Sequence, residues 1–250
     1  MEFDYLKKYN TKREHVTRKE VIHLLIPVSI TLFMLVLIFL LQTFFIPFMH
    51  RAISYRKILK HSVEEGDVLF FGNNEWNNTW YVLKVEDSRI LLINEKCVET
   101  MNSSGTVSNY DPHLGVYSMF YPYVPQGTVL APYEDWKVSW EYSGLKNWLN
   151  NRYYNNAFND NEKKLICDCG YGNVYLLSAD DMRDYFDGSP GKITNIFNNS
   201  YPWWLRSSTE FESNAYNDYV SYDGRINGNG ICYPGSNIGV RPAIWINYGK

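Results

Sequence analysis

The sequence has little of what marks most enzyme and nucleic-acid-binding classes. It contains 24 Lys and Arg residues against 27 Asp and Glu residues, so no strong positive field is available for a nucleic acid. It has only five histidines and no Gly-x-Ser-x-Gly, glycine-rich phosphate loop or His-Glu-x-x-His motif. These absences argue against duplex binding and against hydrolysis through histidine, and they leave carboxylate or cysteine chemistry open.

The longest stretch without charge lies near the N-terminus. Residues 21–50 carry no Asp, Glu, Lys or Arg, and residues 24–48 form an apolar run of 25 residues. A membrane-crossing helix needs about 20 such residues, whereas a cleaved signal peptide has an apolar region of only about 7–15. We therefore predict an uncleaved signal anchor at residues 21–49 that crosses a lipid bilayer once.

Basic residues flank this anchor on both sides. Six Lys or Arg residues precede it and four follow it within residues 51–60, which favours a cytoplasmic N-terminus. We expect residues 1–20 to be a cytoplasmic tail and the C-terminal domain to be extracellular. Residues 50–65 are predicted to be a juxtamembrane stalk that suits anionic head groups, with a solvated helix end as the alternative.

Beyond the stalk, the pattern changes to that of a mixed domain. Residues 80–85 and 90–93 are apolar and β-prone on either side of Asp87-Ser88, which predicts a hairpin. Helical spacing follows at residues 145–153, and two capping boxes predict two further short helices. The boxes pair Asn159 with Glu162 and Ser178 with Asp181.

The last fifty residues return to short strands punctuated by glycine. We predict strands at 203–206, 217–221, 225–227 and 239–247, with a turn at Asp223-Gly224. Strands on both sides of helices favour an α+β fold in a single domain over residues 66–250, in which the terminal strands pair. Residues 99–140 lack periodicity and are predicted to be an irregular insertion.

All four cysteines follow the predicted anchor, and their pairing cannot be inferred from the sequence. They allow two disulfides in three pairings, or free buried thiols. The spacing of Cys167-Asp168-Cys169 is too tight for the usual zinc knuckle. The disulfide candidates are Cys97, Cys167, Cys169 and Cys232.

Several ordered motifs give residues 66–247 a family resemblance. Trp-Trp-Leu-Arg-Ser at 203–207, Tyr-Asp-Gly at 222–224 and Gly-Val-Arg-Pro-Ala-Ile-Trp-Ile at 239–246 resemble those of an uncharacterised bacterial family of extracellular domains, domain of unknown function 6273. The chain departs from the pattern in its 99–140 insertion and at 208–209, where a turn is expected. The closing Gly-x-Arg strand is also similar to the end of C-type-lectin-like and formylglycine-generating folds, which implies a shape and no activity.

Aromatic residues dominate the region after the anchor, where all eight Trp and 19 of the 21 Tyr lie. We predict that Trp80, Trp148, Trp203 and Trp245 are core residues. For Arg206 and Arg241, binding of an acidic ligand and a strand-locking role through a buried carboxylate stay open. The ligand-binding candidates are Arg206, Arg241, Tyr121, Tyr123, Trp136, Trp140, Tyr216, Tyr219 and Tyr222.

Together these patterns predict a membrane-anchored bacterial surface protein whose domain binds a glycan, a cell-envelope polymer or a protein without catalysis. An envelope enzyme that uses carboxylates or cysteines is one alternative, and a structural subunit of a membrane complex is another. No cofactor is predicted. Calcium is the one metal considered, and its weak candidate ligands are Asp218, Asp223 and Asn227.

Overall fold

The structure is a computed structural model that describes residues 18–73, 78–102, 140–141, 143–187, 189–197, 202–211, 214–227 and 237–247. The chain divides into two compact units, Met1–His50 and Arg51–Lys250. The second unit begins 15 residues before the predicted domain boundary at residue 66. Helical residues that were assigned to a stalk therefore belong to the same unit as the sheets.

The N-terminal helix is the apolar element predicted from the sequence. Helix α1 (Arg18–Leu40) is followed by a π-helical turn (Leu41–Phe45) and by helix α2 (Ile46–Leu59). Within the described residues, Ile26–Leu59 is a helix long and apolar enough to cross a membrane, and the most apolar window has a mean hydropathy of 2.5 and no buried residues. Pro27 lies within α1, and the Thr31 hydroxyl donates a hydrogen bond to its carbonyl at 2.7 Å.

The second unit is a mixture of short helices and strands. Its further helices are α3 (Gly144–Trp148), which continues through a π-helical turn (Leu149–Tyr153) into α4 (Tyr154–Ala157), then α5 (Asp160–Lys163), α6 (Ala179–Phe186) and α7 (Pro190–Phe197). Its strands are β1 (Val68–Phe70), β2 (Thr79–Val85), β3 (Arg89–Asn94), β4 (Glu99–Asn102), β5 (Ile166–Cys167), β6 (Trp203–Phe211), β7 (Asn214–Val220), β8 (Ile226–Asn227), β9 (Asn237–Val240) and β10 (Ala243–Asn247).

The described strands form two sheets of five. The first has the order β1-β2-β3-β10-β5 and is antiparallel throughout. It contains the predicted hairpin, which is β2 and β3, and the predicted pairing of terminal strands, which is β3 and β10. The second has the order β4-β9-β6-β7-β8, in which only the β6–β9 pair is parallel. The mixed α+β class is therefore confirmed for the described residues.

One predicted strand is in fact two. The sequence predicted a single strand over 239–247, but β9 ends at Val240 in the second sheet and β10 begins at Ala243 in the first. Pro242 has no N–H to donate to a ladder, so it interrupts the strand. The chain therefore passes from one sheet to the other at Arg241 and Pro242.

Other local predictions hold or shift by a few residues. Both capping boxes are present, at the starts of α5 and α6, and the turn at Asp223-Gly224 joins β7 to β8. Strand β6 continues through Ser208 with a shift in register instead of turning there. Residues 99–102 form β4 instead of opening an irregular insertion, and 103–139 lie outside the described residues.

The hydrophobic core draws on both sheets and on the helices. Trp80, Trp148, Trp203 and Trp245 are at most 6% exposed, which confirms their predicted core positions. The Trp80 indole donates a hydrogen bond to the Phe71 carbonyl at 2.7 Å, so this polar atom is satisfied within the core.

A buried carboxylate connects the end of α2 to the rest of the unit. Glu162 is 1% exposed, and its Oε1 accepts hydrogen bonds from the Arg51 guanidinium at 2.8 Å and from the Gly72 amide at 3.0 Å. Its Oε2 accepts from the Asn159 amide at 2.9 Å. The Tyr55 hydroxyl is also hydrogen-bonded to it. Three separate segments therefore meet at one charge.

The loop that supplies the Gly72 amide depends on glycine. Gly72 has a φ of +95°, and a Cβ there would lie 2.9 Å from the Ala157 carbonyl oxygen. Any other residue would strain the backbone and push α4 away. Glycine at this position lets the chain pass close enough to bind Glu162.

Further contacts fix the same helix end. The Ser54 hydroxyl accepts the Phe70 amide at 2.9 Å, Ile58 is 1% exposed, and Lys57 forms an ion pair with Asp67 at 2.9 Å. Burial alone would raise the pKa of Asp67, but its hydrogen bonds from Lys57 and from the Glu64 amide hold that pKa below the usual value. Residues 51–59 are thus built into the fold by packing, hydrogen bonds and charge.

We predict that Arg51→Met lowers the free energy of unfolding by about 3 kcal/mol, because it leaves a buried carboxylate without its cation. Arg56→Met is the matched control, since Arg56 lies on the exposed side of the same helix. Urea denaturation of the full chain in detergent, followed by tryptophan fluorescence, reports on the second unit because every Trp follows residue 50. Equal midpoints for the two variants would contradict the assigned role of Arg51.

Candidate functional site

An ion pair joins strand β6 to the start of helix α6. The Arg206 guanidinium binds the Asp181 carboxylate at 2.8 Å, and the same carboxylate oxygen accepts the Ser178 amide at 2.8 Å. The Ser178 hydroxyl in turn accepts the Asp181 amide at 3.0 Å, and the Arg206 amide donates to the Leu177 carbonyl at 2.9 Å. The helix cap and the arginine thus hold each other in place.

A partly exposed aromatic ring lies against this arginine. The Arg206 guanidinium carbon is 3.8 Å from the centroid of the Tyr171 ring, and the Tyr171 and Tyr175 rings are 5.9 Å apart. Tyr171 is 41% exposed, whereas Tyr175 is buried. We call Tyr171, Tyr175, Asp181 and Arg206 the Tyr171 platform.

The loop before Tyr175 is tied down at several points. Asp168 Oδ1 accepts the Gly170 amide at 2.7 Å and the Gly172 amide at 3.1 Å. Gly172 has a φ of +112°, and a Cβ there would lie 2.7 Å from the Asn150 side chain. That side chain binds both the amide and the carbonyl of Val174, at 3.1 and 2.8 Å. Tyr171 is therefore presented by a loop of fixed geometry.

Trp140 supports the same loop. Its indole donates a hydrogen bond to the Tyr171 carbonyl at 3.0 Å, and the side chain is 9% exposed. Trp140 was a ligand-binding candidate on the sequence. The structure places it in the core beneath the platform, where it positions Tyr171 and has little surface of its own to offer.

Two phenols at or near the platform, those of Tyr175 and Tyr185, stay protonated near neutral pH. Burial raises the pKa of Tyr175 well above its usual value, and the charge of Asp181 adds to that shift. Burial, again with Asp181, raises the pKa of Tyr185 to about 12. These hydroxyls therefore act as hydrogen-bond donors rather than as bases. In addition to these hydroxyls, the site contains the aromatic face of Tyr171 and the Arg206 guanidinium.

Arg241 occupies the crossing between the two sheets. It is 3% exposed, its guanidinium donates to the carbonyls of Asn94, at 2.9 Å, and Glu95, and it lies 4.3 Å and 4.4 Å from the ring centroids of Phe197 and Trp203. Burial lowers the pKa of Arg241. The geometry fits a strand-locking role, achieved through backbone carbonyls and aromatic faces instead of the buried carboxylate considered from the sequence.

The remaining aromatic candidates are not gathered into one site. Tyr219 is half-buried, with its ring 6.4 Å from that of Trp204, and Tyr222 is 61% exposed in the turn after β7. Tyr216 lies on β7, and its side chain is outside the described part. Tyr121, Tyr123 and Trp136 lie outside the described residues.

The weak calcium candidates have other neighbours. Asp218 is buried at 3% exposure, and the Asp223 carboxylate accepts the Ser221 hydroxyl at 2.5 Å and pairs with Arg225 at 3.2 Å. The Ser221 hydrogen bond is the main cause that lowers the pKa of Asp223. The Asn227 amide donates to the Arg225 carbonyl at 3.3 Å. Among the described residues, no group of three His, Cys, Asp or Glu residues could hold a metal ion.

Three of the four cysteines lie in the described residues, and all three are half-buried thiols. Burial raises the pKa of Cys97, and the neighbouring Arg241 partly offsets this. Cys167 and Cys169 lie at and just after the end of β5. Cys232 is outside the described residues, so its role as a disulfide candidate stays a prediction.

Sequence reasoning missed two members of the platform, Tyr171 and Tyr175, and assigned Asp181 only a capping role. Tyr171 stands between Gly170 and Gly172, three residues after a turn-forming Asp168. An aromatic residue flanked by glycines in a turn is a signal for a presented ring. The partner, Arg206, is 35 residues further along and could not be assigned to it from spacing.

Comparison with known families matches one part of the chain. Residues 170–248 match the model of a domain of unknown function (DUF6273), which confirms the predicted resemblance over that stretch. It contains Tyr171, Asp181, Arg206 and Arg241. Neither the curated proteins nor the solved structures yielded a match to this chain.

We predict that Arg241→Lys lowers the free energy of unfolding by about 3 kcal/mol, although the charge is kept. An ammonium group cannot lie against both rings and also reach two carbonyls. Arg225→Lys, at an arginine side chain that is 74% exposed, is the control and should change stability by less than about 0.5 kcal/mol. Denaturant midpoints measure both, and an unchanged midpoint for Arg241→Lys would show that the guanidinium geometry is unimportant.

Proposed function

From the premise that residues 170–248 carry the match to this domain of unknown function, we propose that the chain is a membrane-anchored surface protein whose second unit binds a glycan or another cell-envelope polymer. The observation that carries the proposal is the Tyr171 ring, 41% exposed and stacked by Arg206 at 3.8 Å. Binding, without turnover, is the proposed activity.

The platform has the features that polymer recognition requires. An exposed aromatic ring offers a flat apolar face on which the C–H face of a sugar can stack, and nearby polar groups set its orientation. Tyr171 is held by its loop, by Trp140 and by Arg206, so little conformational entropy is lost when a ligand binds. The Arg206 side chain is 15% exposed, which leaves it an edge toward solvent beside the ring.

The placement outside the cell is part of the proposal. It is supported by the apolar helix near the N-terminus and by the excess of basic residues before that helix. A single span with a cytoplasmic tail at residues 1–20 would present the second unit to the cell envelope of a bacterium, where its ligand would be abundant.

A lectin-like architecture is a further part of the same proposal. It is supported by the antiparallel pairing of β10, the last described strand, with the early strand β3, and by Arg241 at the approach to that closing strand. This architecture would leave the loop at 168–174 on the surface as a recognition loop.

We predict that cells displaying the full chain bind fluorescent peptidoglycan fragments or a member of a glycan panel. Tyr171→Ala should weaken that binding about tenfold, because one stacked aromatic contributes about 1.4 kcal/mol. Tyr222→Ala removes a more exposed tyrosine outside the platform and should change affinity less than about twofold, in line with a residue that makes no ligand contact.

The same assay tests location. Intact cells should bind, and inside-out vesicles from those cells should not. Binding by the vesicles alone would overturn the proposed orientation. Loss of binding in Tyr222→Ala with retention in Tyr171→Ala would move the site to the last hairpin, and no binding to any polymer would overturn the proposed function.

A further inference from the structure

Two thiols, those of Cys167 and Cys169, are two residues apart in the chain at the edge of the first sheet. Cys167 is the last residue of β5 and pairs with Trp245 of β10, and its Sγ donates a hydrogen bond to the Trp245 carbonyl at 3.5 Å. Cys169 follows two residues later. Both side chains are half-buried, so a small reagent can reach them.

The two sulfurs have different surroundings. The Cys169 sulfur accepts hydrogen bonds from the Tyr175 hydroxyl and from the Tyr171 amide, whereas the Cys167 sulfur acts as a donor. Burial raises the pKa of Cys169, and these two donors oppose that rise. Hydrogen-bond donors stabilise a thiolate, so we assign Cys169 as the attacking sulfur of the pair.

One positive charge interacts with both sulfurs. The Arg89 guanidinium interacts electrostatically with Cys167 and Cys169, and it lies over the Trp245 ring at 4.2 Å. Stacking on Trp245 holds it beside the strand that pairs with Cys167. A nearby cation favours a thiolate on either sulfur and so favours exchange between them.

The backbone permits the two sulfurs to meet. Residues two apart in a chain have Cα atoms at most about 7 Å apart, because an extended chain spans about 3.3–3.6 Å per residue, and a disulfide spans roughly 4.4–6.8 Å. Strand β5 ends at Cys167, so Cys169 is outside the ladder. Gly170, the next residue, has open space around it, because a Cβ placed there would meet nothing within 4 Å. The space at Gly170 therefore lets this part of the loop move when the sulfurs join, and that movement must break the Asp168 hydrogen bonds that otherwise fix the loop.

We propose that Cys167 and Cys169 are a redox-active pair that an external disulfide converts to an intramolecular disulfide. The Cys169 thiolate attacks one sulfur of the external disulfide, forms a mixed disulfide and releases one thiolate. The Cys167 thiolate then attacks the Cys169 sulfur and releases the second. The protein loses two protons and two electrons in total, and the external disulfide is reduced to two thiols.

This reaction would alter the Tyr171 platform. A disulfide takes the Cys169 sulfur out of its position between the Tyr175 hydroxyl and the Tyr171 amide. Both donors then lose an acceptor, and Tyr171 and Tyr175 are platform members. The redox state of the pair is thereby connected to the loop that presents the exposed ring.

The full chain in detergent is treated with oxidised glutathione at about pH 8, close to the pKa of an ordinary thiol. It is then quenched with acid, alkylated and digested with trypsin. Cleavage after Lys164 and Arg183 places Cys167 and Cys169 in one peptide without the other cysteines. We expect that peptide to lose two hydrogens and to take no alkyl group, after a transient glutathione adduct.

Three variants complete the test. Cys167→Ser should accumulate the glutathione adduct on Cys169, and Cys97→Ser should behave as the wild type. Tyr175→Phe removes one donor to the Cys169 sulfur and should move the pH profile of adduct formation to higher pH. A wild-type peptide that keeps a stable glutathione adduct, remains fully alkylated or is linked to another peptide would overturn the proposal.

Discussion

The second unit depends on a buried negative charge that must be satisfied. Glu162 lies in the interior, and its carboxylate takes hydrogen bonds from Arg51, Gly72 and Asn159. A buried carboxylate without such partners would cost several kcal/mol. Because the cation comes from α2, the helix that follows the apolar segment is a required part of the fold. The stalk and the domain are therefore one structural unit from Arg51 onward.

Two other arginines, Arg206 and Arg241, satisfy their guanidinium groups with different partners. Arg206 pairs with a carboxylate that also caps a helix, and it remains close enough to solvent to stack on an exposed ring. Arg241 is fully enclosed and relies on carbonyls and aromatic faces. The first arrangement fixes a surface that can bind a ligand, and the second fixes the point where the chain changes sheets. The contrast explains why only Arg206 belongs to the proposed site.

Local signals in the sequence predicted local structure well. Two apolar, β-prone runs on either side of Asp87-Ser88 predicted the β2–β3 hairpin, and the spacing of Asn159 and Glu162 predicted a capping box that the structure confirms. That Glu162 also binds Arg51, 111 residues away, could not be predicted, because nothing in either neighbourhood encodes the contact. The same holds for the Tyr171 platform, which tertiary packing assembles. Pro242 could have signalled a break in the strand predicted over 239–247, but the move to a second sheet depends on the partners available to each half.

Residues 51–59 fold together with the two sheets as one cooperative unit. Hydrogen exchange of the full chain in lipid nanodiscs, measured at increasing denaturant, tests it directly. The amides of residues 55–59 should be released by the same unfolding step as those of β3, since one cooperative unit opens with one free energy. Release of the helix amides at lower denaturant, while β3 stays protected, would show that residues 51–59 are an independent stalk. That result would contradict their folding as one unit with the sheets.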